Sequence, residues 1–418
     1  MTIIIGLGIN SIVSCSLSQE VEILPLFSFV LIMPPYTSNV RLCCVELSEQ
    51  LAQLNIDAKV KMHSWADILP RTWEYPVGQK YNIIPPYDEG GFDMFFLGWT
   101  TELNWDPTKQ FSTKSIVPNG DNFYQYSNKT FDQLLVQYLS EYEFTNRKEK
   151  LTTLQEILYE DLPSIPVFYP RAYFGVKSTL TGLDPILLSN FIERYEFWDD
   201  ASDHKVVYAI PTSLDAFNCF DTYQYYYESW MSAVYAGLFT YSQGSHEFEP
   251  LIAKNYTISA DGKDITVDIN PDAKFSDGNP VTAEDVKYSY QLYMTPISGL
   301  QTRAYKELVS LFEDNNSIEI IDQDTIIFHL KQPYAFVFRA LSFGIIEKAK
   351  VEPALIQYGY EIFKEPPLTG NVSDTLVTSC GPFVLKNYNF TITNYRFTVH
   401  NITLEPNLYY VGNFPKLS

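Results

Sequence analysis

Two acids four positions apart, Glu102 and Asp106, lie in the stretch Gly90 to Phe111, which reads GGFDMFFLGWTTELNWDPTKQF. A short apolar strand predicted over Phe92 to Trp99 runs into a polar loop that carries both carboxylates and closes on Pro107. An apolar strand that releases acidic and aromatic side chains at its end is a common way to build a ligand pocket in an open α/β sheet. Two chemistries fit the pair. In a closing, partly dry cleft a carboxylate holds an ammonium group through charge-assisted hydrogen bonds stronger than the same pair in water. The same two acids could instead act as general acid and base, as in glycoside hydrolysis. A plainer alternative is a core strand followed by a solvated acidic loop, with Asp106 capping the turn at Pro107.

The rest of the chain offers catalysis little. It holds no nucleophile elbow, Walker motif or zinc motif, so we read it as a non-enzyme. The five histidines, His63, His204, His246, His329 and His400, are scattered, and no metal or cofactor is expected. Cys15, Cys43, Cys44, Cys219 and Cys380 form no CxxC pair. Adjacent Cys43 and Cys44 would make a strained bridge, so the cysteines are expected as small buried apolar groups. With 29 basic against 50 acidic residues, a net charge of −21 argues against nucleic acid and against an anionic membrane surface.

Several elements must position the acidic loop. Phe27 to Met33 is a continuous apolar run ended by two prolines, and it is expected as a buried strand. Val40, Cys44, Leu47, Leu51 and Leu54 form a helical stripe, and Asn55 is its expected stop. Ile56, Ala58, Val60 and Met62 then alternate as a strand, which makes a βαβ unit with a parallel pair. Phe92 to Trp99 becomes the third strand. Two helices follow, the first with Phe131, Leu134, Leu135, Tyr138 and Leu139 on one face and Thr130 as its cap, the second with Leu151, Leu154, Ile157 and Leu158. Ile165 to Tyr169 is expected as a strand, and Asp199 to Asp203 as a solvated break between halves.

The second half is expected to open on a strand, Val206 to Ile210, and a loop, Pro211 to Asp215. Tyr223 to Leu238 is expected as a helix whose rings Tyr225, Tyr226 and Trp230 serve packing. Hairpins are expected at Asp261-Gly262 and at Asp322 to Asp324, and Thr282 to Asp285 reads as a capping box opening a helix. Gly381 to Tyr410, rich in β-branched and aromatic residues, is expected as strands.

These stretches resemble a family, the extracellular solute-binding proteins of peptide- and nickel-type ABC importers. Pro250 to Tyr256, Ser259 to Lys263 and above all Lys274 to Val286 (KFSDGNPVTAEDV) are similar to its motifs, as are Cys380-Gly381-Pro382-Phe383 and Asn407 to Tyr410. Phe27 to Trp65, the Gly-Trp-acid loop, Arg147 and Glu160 to Pro166 resemble the family's later region. The halves therefore stand in inverted order, which fits a piece of a tandem array or a circular permutant, the tandem origin being preferred.

The resemblance implies an α/β fold, two-lobed and periplasmic-binding-protein-like (type II, peptide-binding class), with an incomplete second lobe. Residues 1–26 would be a leader or unstructured, 27–162 part of lobe II, 163–198 a segment returning to lobe I, 199–204 a linker and 205–418 lobe I. It further implies capture of a small peptide or similar solute by hinge closure, and delivery by a monomer to an ABC permease. Ligand-binding positions would be Trp99, Thr100, Thr101, Glu102, Asp106, Cys380 and Gly381. Glu102 stands where peptide-binding relatives usually carry Asp, so the ligand would sit differently. The location implied is extracellular or periplasmic. Ile12-Val13-Ser14-Cys15 resembles a lipoprotein box and would anchor the chain at the outer face through Cys15, although no basic residue precedes it. Asn-x-Ser/Thr triplets at Asn128, Asn255, Asn315, Asn371, Asn389 and Asn401 suit an exported glycoprotein. The alternative to transport is a rearranged remnant acting as a surface interaction module.

Overall fold

Phe27–Met33 forms strand β1, whose last four side chains are buried. The computed structural model describes residues 24–35, 38–75, 84–99, 103–169, 173–190, 192–209, 225–296, 303–363, 376–393 and 396–417. They fall into two compact units, one made of the residues up to Trp99 with Lys114–Tyr126, the other of the remainder.

In the first unit β1 is followed by helix α1 (Ser38–Gln53) and strand β2 (Ile56–Met62), which pairs with β1 in parallel from Phe27↔Ile56 to Met33↔Met62. Cys44 on α1 is fully buried against Leu31 and Met33, with Val40 and Leu47 packed around them. Asn55 takes a left-handed backbone (φ 63°), the conformation Asn tolerates best after Gly, and so reverses the chain from helix to strand. A short helix α2 (Trp65–Ile68) follows β2. The third strand is much shorter than expected. Only Met94–Phe95 (β3) pair with β1, completing the order β2-β1-β3. Asp93 shortens the ladder at its start, because its carboxylate accepts from the Val30 amide at 2.8 Å and from the Tyr87 amide at 3.0 Å.

The second unit begins with the short helix α3 (Thr108–Phe111), then helices α4 (Lys129–Leu139) and α5 (Phe144–Asp161). The cap of α4 is Asn128 rather than Thr130: its side-chain oxygen accepts from the amides of Thr130 and Phe131 at 2.9 and 3.1 Å. Residues 165–169 form no strand and are exposed throughout, since Pro163 and Pro166 remove donors a ladder would need.

Strand β4 (Leu180–Thr181), helix α6 (Pro185–Ser189) and strand β5 (Asp199–Asp200) come next, with β4 and β5 antiparallel. The expected polar break is therefore structured. Asp200 is 1 % exposed; Lys177 Nζ lies 2.8 Å away, and Thr179 and Ser202 donate their hydroxyls to it at 2.7 Å. Residues 206–209 form no strand. Ile210 and the loop expected over Pro211 to Asp215 lie outside the described residues.

Helix α7 (Tyr225–Val234) buries Trp230, Met231 and Val234, and leads to the paired strands β6 (Phe239–Tyr241) and β7 (Phe248–Pro250). Strands β8 (Ala253–Ile258) and β9 (Asp264–Ile269) make the expected hairpin around Gly262, whose φ of 72° suits the turn. Ile265, Val267 and Ile269 alternate inward from β9. Helix α8 (Ala283–Tyr293) opens on the full Thr282/Asp285 capping box and buries Val286 and Tyr290 completely. Helix α9 (Arg303–Leu311) precedes the hairpin β10 (Ile318–Ile320) and β11 (Thr325–His329), giving a four-stranded antiparallel sheet in the order β10-β11-β9-β8. Helices α10 (Val337–Ala340) and α11 (Lys348–Tyr358) and the long hairpin β12 (Phe383–Thr393) and β13 (Arg396–Pro406) complete it.

One core runs through this unit, and it takes Leu188, Tyr195 and Trp198 together with side chains from Trp230 to Leu417. Helices α4 and α5, assigned by sequence with the α/β lobe, belong to the same unit. The amide of Ala335 donates to the Leu139 carbonyl at 2.6 Å, and Arg147 reaches Glu247 at 3.3 Å. The fold is mixed α/β, with a parallel sheet in one unit and antiparallel sheets in the other.

Candidate functional site

The carboxyl ends of parallel strands are where open α/β sheets bind ligands. Beyond β2 comes Trp65, and beyond β3 comes Trp99. Between them lies Trp73, its ring centroid 6.4 Å from Trp65 and 6.2 Å from Trp99. Two of the indoles pack on Phe123, which is 3 % exposed, edge-on to Trp73 at 4.9 Å and nearly parallel to Trp99 at 6.2 Å. Trp65 and Trp99 remain 41 % and 38 % exposed, large values for indoles inside an aromatic cluster.

The polar atoms of this wall are satisfied within it. The Trp73 indole N–H donates to Asp121 Oδ1 at 3.0 Å, and the Trp99 N–H donates to the Tyr124 hydroxyl at 2.9 Å. Burial pushes the Tyr124 phenol up; the Trp99 N–H opposes that shift, and the nearby Asp121 carboxylate adds to it. Among the described residues the wall offers a ligand ring surface and the Asp121 carboxylate.

In the second unit the loop after Glu102 is tied down by phenols. Tyr138 donates to the Trp105 carbonyl at 2.7 Å, Tyr334 donates to Asp106 Oδ2 at 3.0 Å, and Asn104 Nδ2 donates to the Tyr241 hydroxyl at 3.4 Å. Asp106 Oδ1 meanwhile accepts from the Thr108 amide at 2.9 Å. Both oxygens of Asp106 thus have internal partners, one of them in the turn-capping role that was the plainer reading of this residue. Burial, then the Asp106 charge, holds the Tyr334 phenol well above its ordinary range, so it stays a donor.

Cys380 and Gly381 sit in the core. Cys380 is 2 % exposed, its thiol directed at the Ala236 and Ile345 carbonyls at 3.5 and 3.3 Å, and burial pushes it up to about 12. Gly381 passes so close to α7 that a Cβ there would meet the Val234 carbonyl carbon at 2.6 Å. The KFSDGNPVTAEDV stretch supplies the α8 cap, and its Asp277 and Asn279 engage Lys350 and Glu347 at 2.7 and 2.8 Å.

Of the sequence-derived positions, Thr100, Thr101 and Glu102 lie outside the described residues, as does Cys15. Trp99 belongs to the first unit, and Asp106, Cys380 and Gly381 to the second. Sequence reasoning singled out neither Trp73, Asp121 and Tyr124 nor Tyr334. Trp73 falls between the stretches to which an element was assigned, as does Phe123-Tyr124; only the density of aromatic residues could have marked them. Among the described residues no group of three or more His, Cys, Asp and Glu could hold a metal ion, and no helix is long and apolar enough to cross a membrane.

Comparison with known proteins bears on the second unit. Residues 247–418 match the family described as bacterial extracellular solute-binding proteins, family 5 Middle. The "Probable D,D-dipeptide-binding periplasmic protein DdpA" of Escherichia coli (strain K12) is 29 % identical over 174 residues, 41 % of this chain and 29 % of that protein. The "Dipeptide-binding protein DppE" of Bacillus subtilis (strain 168) is 27 % identical over 152 residues, 34 % of this chain and 26 % of that one. The match thus spans under a third of these relatives' own length. Among solved structures, Haemophilus influenzae OppA in complex with RPPGFSPFR aligns over 51 % of this chain and 40 % of its own, at 17 % identity and a TM-score of 0.41. These relatives are named as binding proteins rather than enzymes. Over residues 247–418 the chain is therefore similar to the family 5 solute-binding proteins, and the relatives named here are described as dipeptide-binding.

Proposed function

We propose that the chain is the extracytoplasmic solute-binding component of an ABC importer, a monomer that captures short peptides and hands them to a membrane permease. The observation that carries this reading is the family match over residues 247–418, with its signature stretch folded as the capped start of α8. The aromatic wall of the first unit, at the carboxyl ends of β1, β2 and β3, supports it as surface suited to a ligand. Glu102 is the residue proposed to receive the peptide's amino terminus, with Trp99, Thr100 and Thr101 as further proposed ligand-binding positions and Asp106 setting its loop through Tyr334 and Thr108. Cys380 and Gly381, both buried in the second unit, would contribute only through the packing of that unit's core. The inverted order of halves belongs to the same proposal and draws support from the shared core of Leu188, Tyr195 and Trp198 with the later residues.

The test is a calorimetric and thermal-shift screen of the full chain against di- to pentapeptides with free and acetylated amino termini. A bound peptide raises the unfolding temperature in proportion to its concentration over Kd. Glu102→Gln should weaken free-amine peptides about tenfold or more while sparing acetylated ones. Equal loss for both sinks the amine-clamp role, and no stabilisation by any peptide sinks the transport reading.

A second reading, a surface interaction module without transport, is favoured by one feature. From Leu162 to Val176 the chain exposes Ile165, Val167, Phe168, Tyr169, Tyr173 and Phe174, with exposures from 46 % to 85 %. Such a run is unusual for a free monomer surface.

A further inference from the structure

We infer that the tryptophan wall of the first unit is a binding site for organic cations, with Asp121 as its counter-charge and the Trp99 and Trp65 rings as its surface. The inference deepens the solute-binding reading and rests on it, since it names the kind of group that a captured peptide would present there: an alkylammonium or guanidinium.

Three observations carry it. Among the described residues Asp121 has no ion-pair partner; its one hydrogen bond comes from a neutral indole, Trp73 Nε1. Several other acids among the described residues are paired with cations: Glu196 and Glu249 with Arg194, Glu247 with Arg147, Asp200 with Lys177. Asp121 therefore keeps its negative charge beside low-dielectric ring surface, where a fixed charge acts more strongly than in open water.

The rings supply the rest. Phe123 lies nearly parallel to Trp99, 13° between planes, with ring centroids 6.2 Å apart. Trp99 itself stays 38 % exposed. With its N–H already given to Tyr124, that ring can attract a ligand only through its π cloud, and the π face of an indole is the best aromatic partner for a cation. Trp73 is held in the same way, by Asp121, and its ring stands edge-on to Trp99 at 73°. An anion would meet Asp121 and negative ring faces together. A neutral apolar group would gain the rings but leave the carboxylate uncompensated. A cation gains both.

The experiment uses the full chain and a pair of isosteric probes, choline and 3,3-dimethylbutan-1-ol, titrated at constant ionic strength with tryptophan fluorescence as the readout. Choline should give a saturable change and the neutral alcohol a response at least about tenfold weaker. Asp121→Asn keeps the acceptor for Trp73 and should bring choline down to the level of the alcohol. If that variant does not fold, Trp99→Leu, made at a partly exposed ring, should weaken choline about threefold or more. Equal responses to the two probes, or unchanged choline binding in a folded Asp121→Asn chain, overturn the inference. The probes contain no peptide, so a chain that binds choline but no peptide loses the transport reading and keeps this site. With peptides, a lysine tripeptide should outbind its acetyl-lysine counterpart, and Asp121→Asn but not Glu102→Gln should remove that preference.

Discussion

Replacing Arg194 by Met should unlock the segment 180–200 from the rest of the second unit. Arg194 is 6 % exposed and Glu196 5 %, and the guanidinium Nε donates to Glu196 Oε1 at 2.7 Å. A second guanidinium nitrogen reaches Glu249 at 3.4 Å, and the Tyr410 hydroxyl donates to Glu196 at 3.3 Å. Met fills much of the Arg stem's volume and packing against Phe197, so the loss is mainly electrostatic. Glu249 is 43 % exposed at its side chain and can rehydrate. Glu196 cannot: it is left buried with a phenol as its polar partner, and breaking a buried pair in this way costs about 3–5 kcal/mol. That lowers the folded-to-unfolded ratio by more than about a hundredfold.

The pair as a whole is different. Removing both charges with Arg194→Met and Glu196→Leu spares the desolvation of either ion and should recover about 2 kcal/mol or more of the single-variant loss. Because Leu188, Tyr195 and Trp198 share a core with residues 230–417, native-state hydrogen exchange should show amides of 187–198 and of 230–240 losing protection together in Arg194→Met. Urea unfolding gives the magnitude. A loss under about 1 kcal/mol, no recovery in the double variant, or loosening of 187–198 alone would each refute the claim that this segment is a working part of the core.

Three further outcomes follow from geometry already described. His329 on β11 contacts Asp264 on β9 at 2.8 Å through Nδ1 and Glu319 on β10 at 3.1 Å through Nε2; burial lowers its pKa, but the two carboxylates outweigh that and raise it above 6.5. Its contribution is therefore fully present below pH 6.5 and is lost as pH rises through the raised folded value, so His329→Gln should destabilise the chain more at pH 5.5 than at pH 8.5. A pH-independent difference between the two proteins would contradict this. Burial pushes the Cys44 thiol up to about 11, with Cys43 adding, and the Cys380 thiol up to about 12, so neither should react with iodoacetamide at pH 8 until the chain is unfolded. Peptide mass mapping after labelling reads this, and native labelling of the Cys380 peptide would count against its placement. Gly381→Ala should cost about 2 kcal/mol or more, because the added methyl meets α7 backbone that cannot move without breaking the 2.8 Å bond from the Gly381 amide to the Val234 carbonyl. Unchanged urea stability would exclude that close approach.

Local patterns were readable where one face decides the structure. The run Phe27 to Met33, the stripe through Cys44 and Leu47 and the alternation of Ile265, Val267 and Ile269 each announce their element, since burial of one side dictates the period. The misreadings have other causes. Asp199 to Asp203 looks solvated until Lys177, Thr179 and Ser202 turn Asp200 inward, and Ile165 to Tyr169 looks like a strand until its prolines deny it a partner. The β3 ladder is cut short by a carboxylate, Asp93, competing for the Val30 amide. At Asp200 and Asp93 a polar bond between distant residues overrode a local preference, which composition does not encode, and at Ile165 to Tyr169 the missing proline donors did.

The same reasoning separates the acids of the candidate site. In a chain of net charge −21 every exposed carboxylate lies in a field that draws cations, so acidity alone selects nothing. Selection requires a carboxylate that keeps its charge uncompensated and stands beside a surface holding the rest of the ligand. Asp106, the first acid after the Gly-Trp pair among the described residues, has both oxygens engaged within its own unit, by the Thr108 amide and the Tyr334 phenol. It acts on a ligand only by fixing where the loop runs. Asp121 meets both conditions, yet it stands in an ordinary polar run, PNGDN, that no motif marks. What distinguishes it is the three-dimensional company of Trp73, Tyr124 and Trp99. If positive charge on a captured solute is read by this chain, substitution at Asp121 should alter charge selectivity, whereas substitution at Asp106 should alter loop stability and leave selectivity in place.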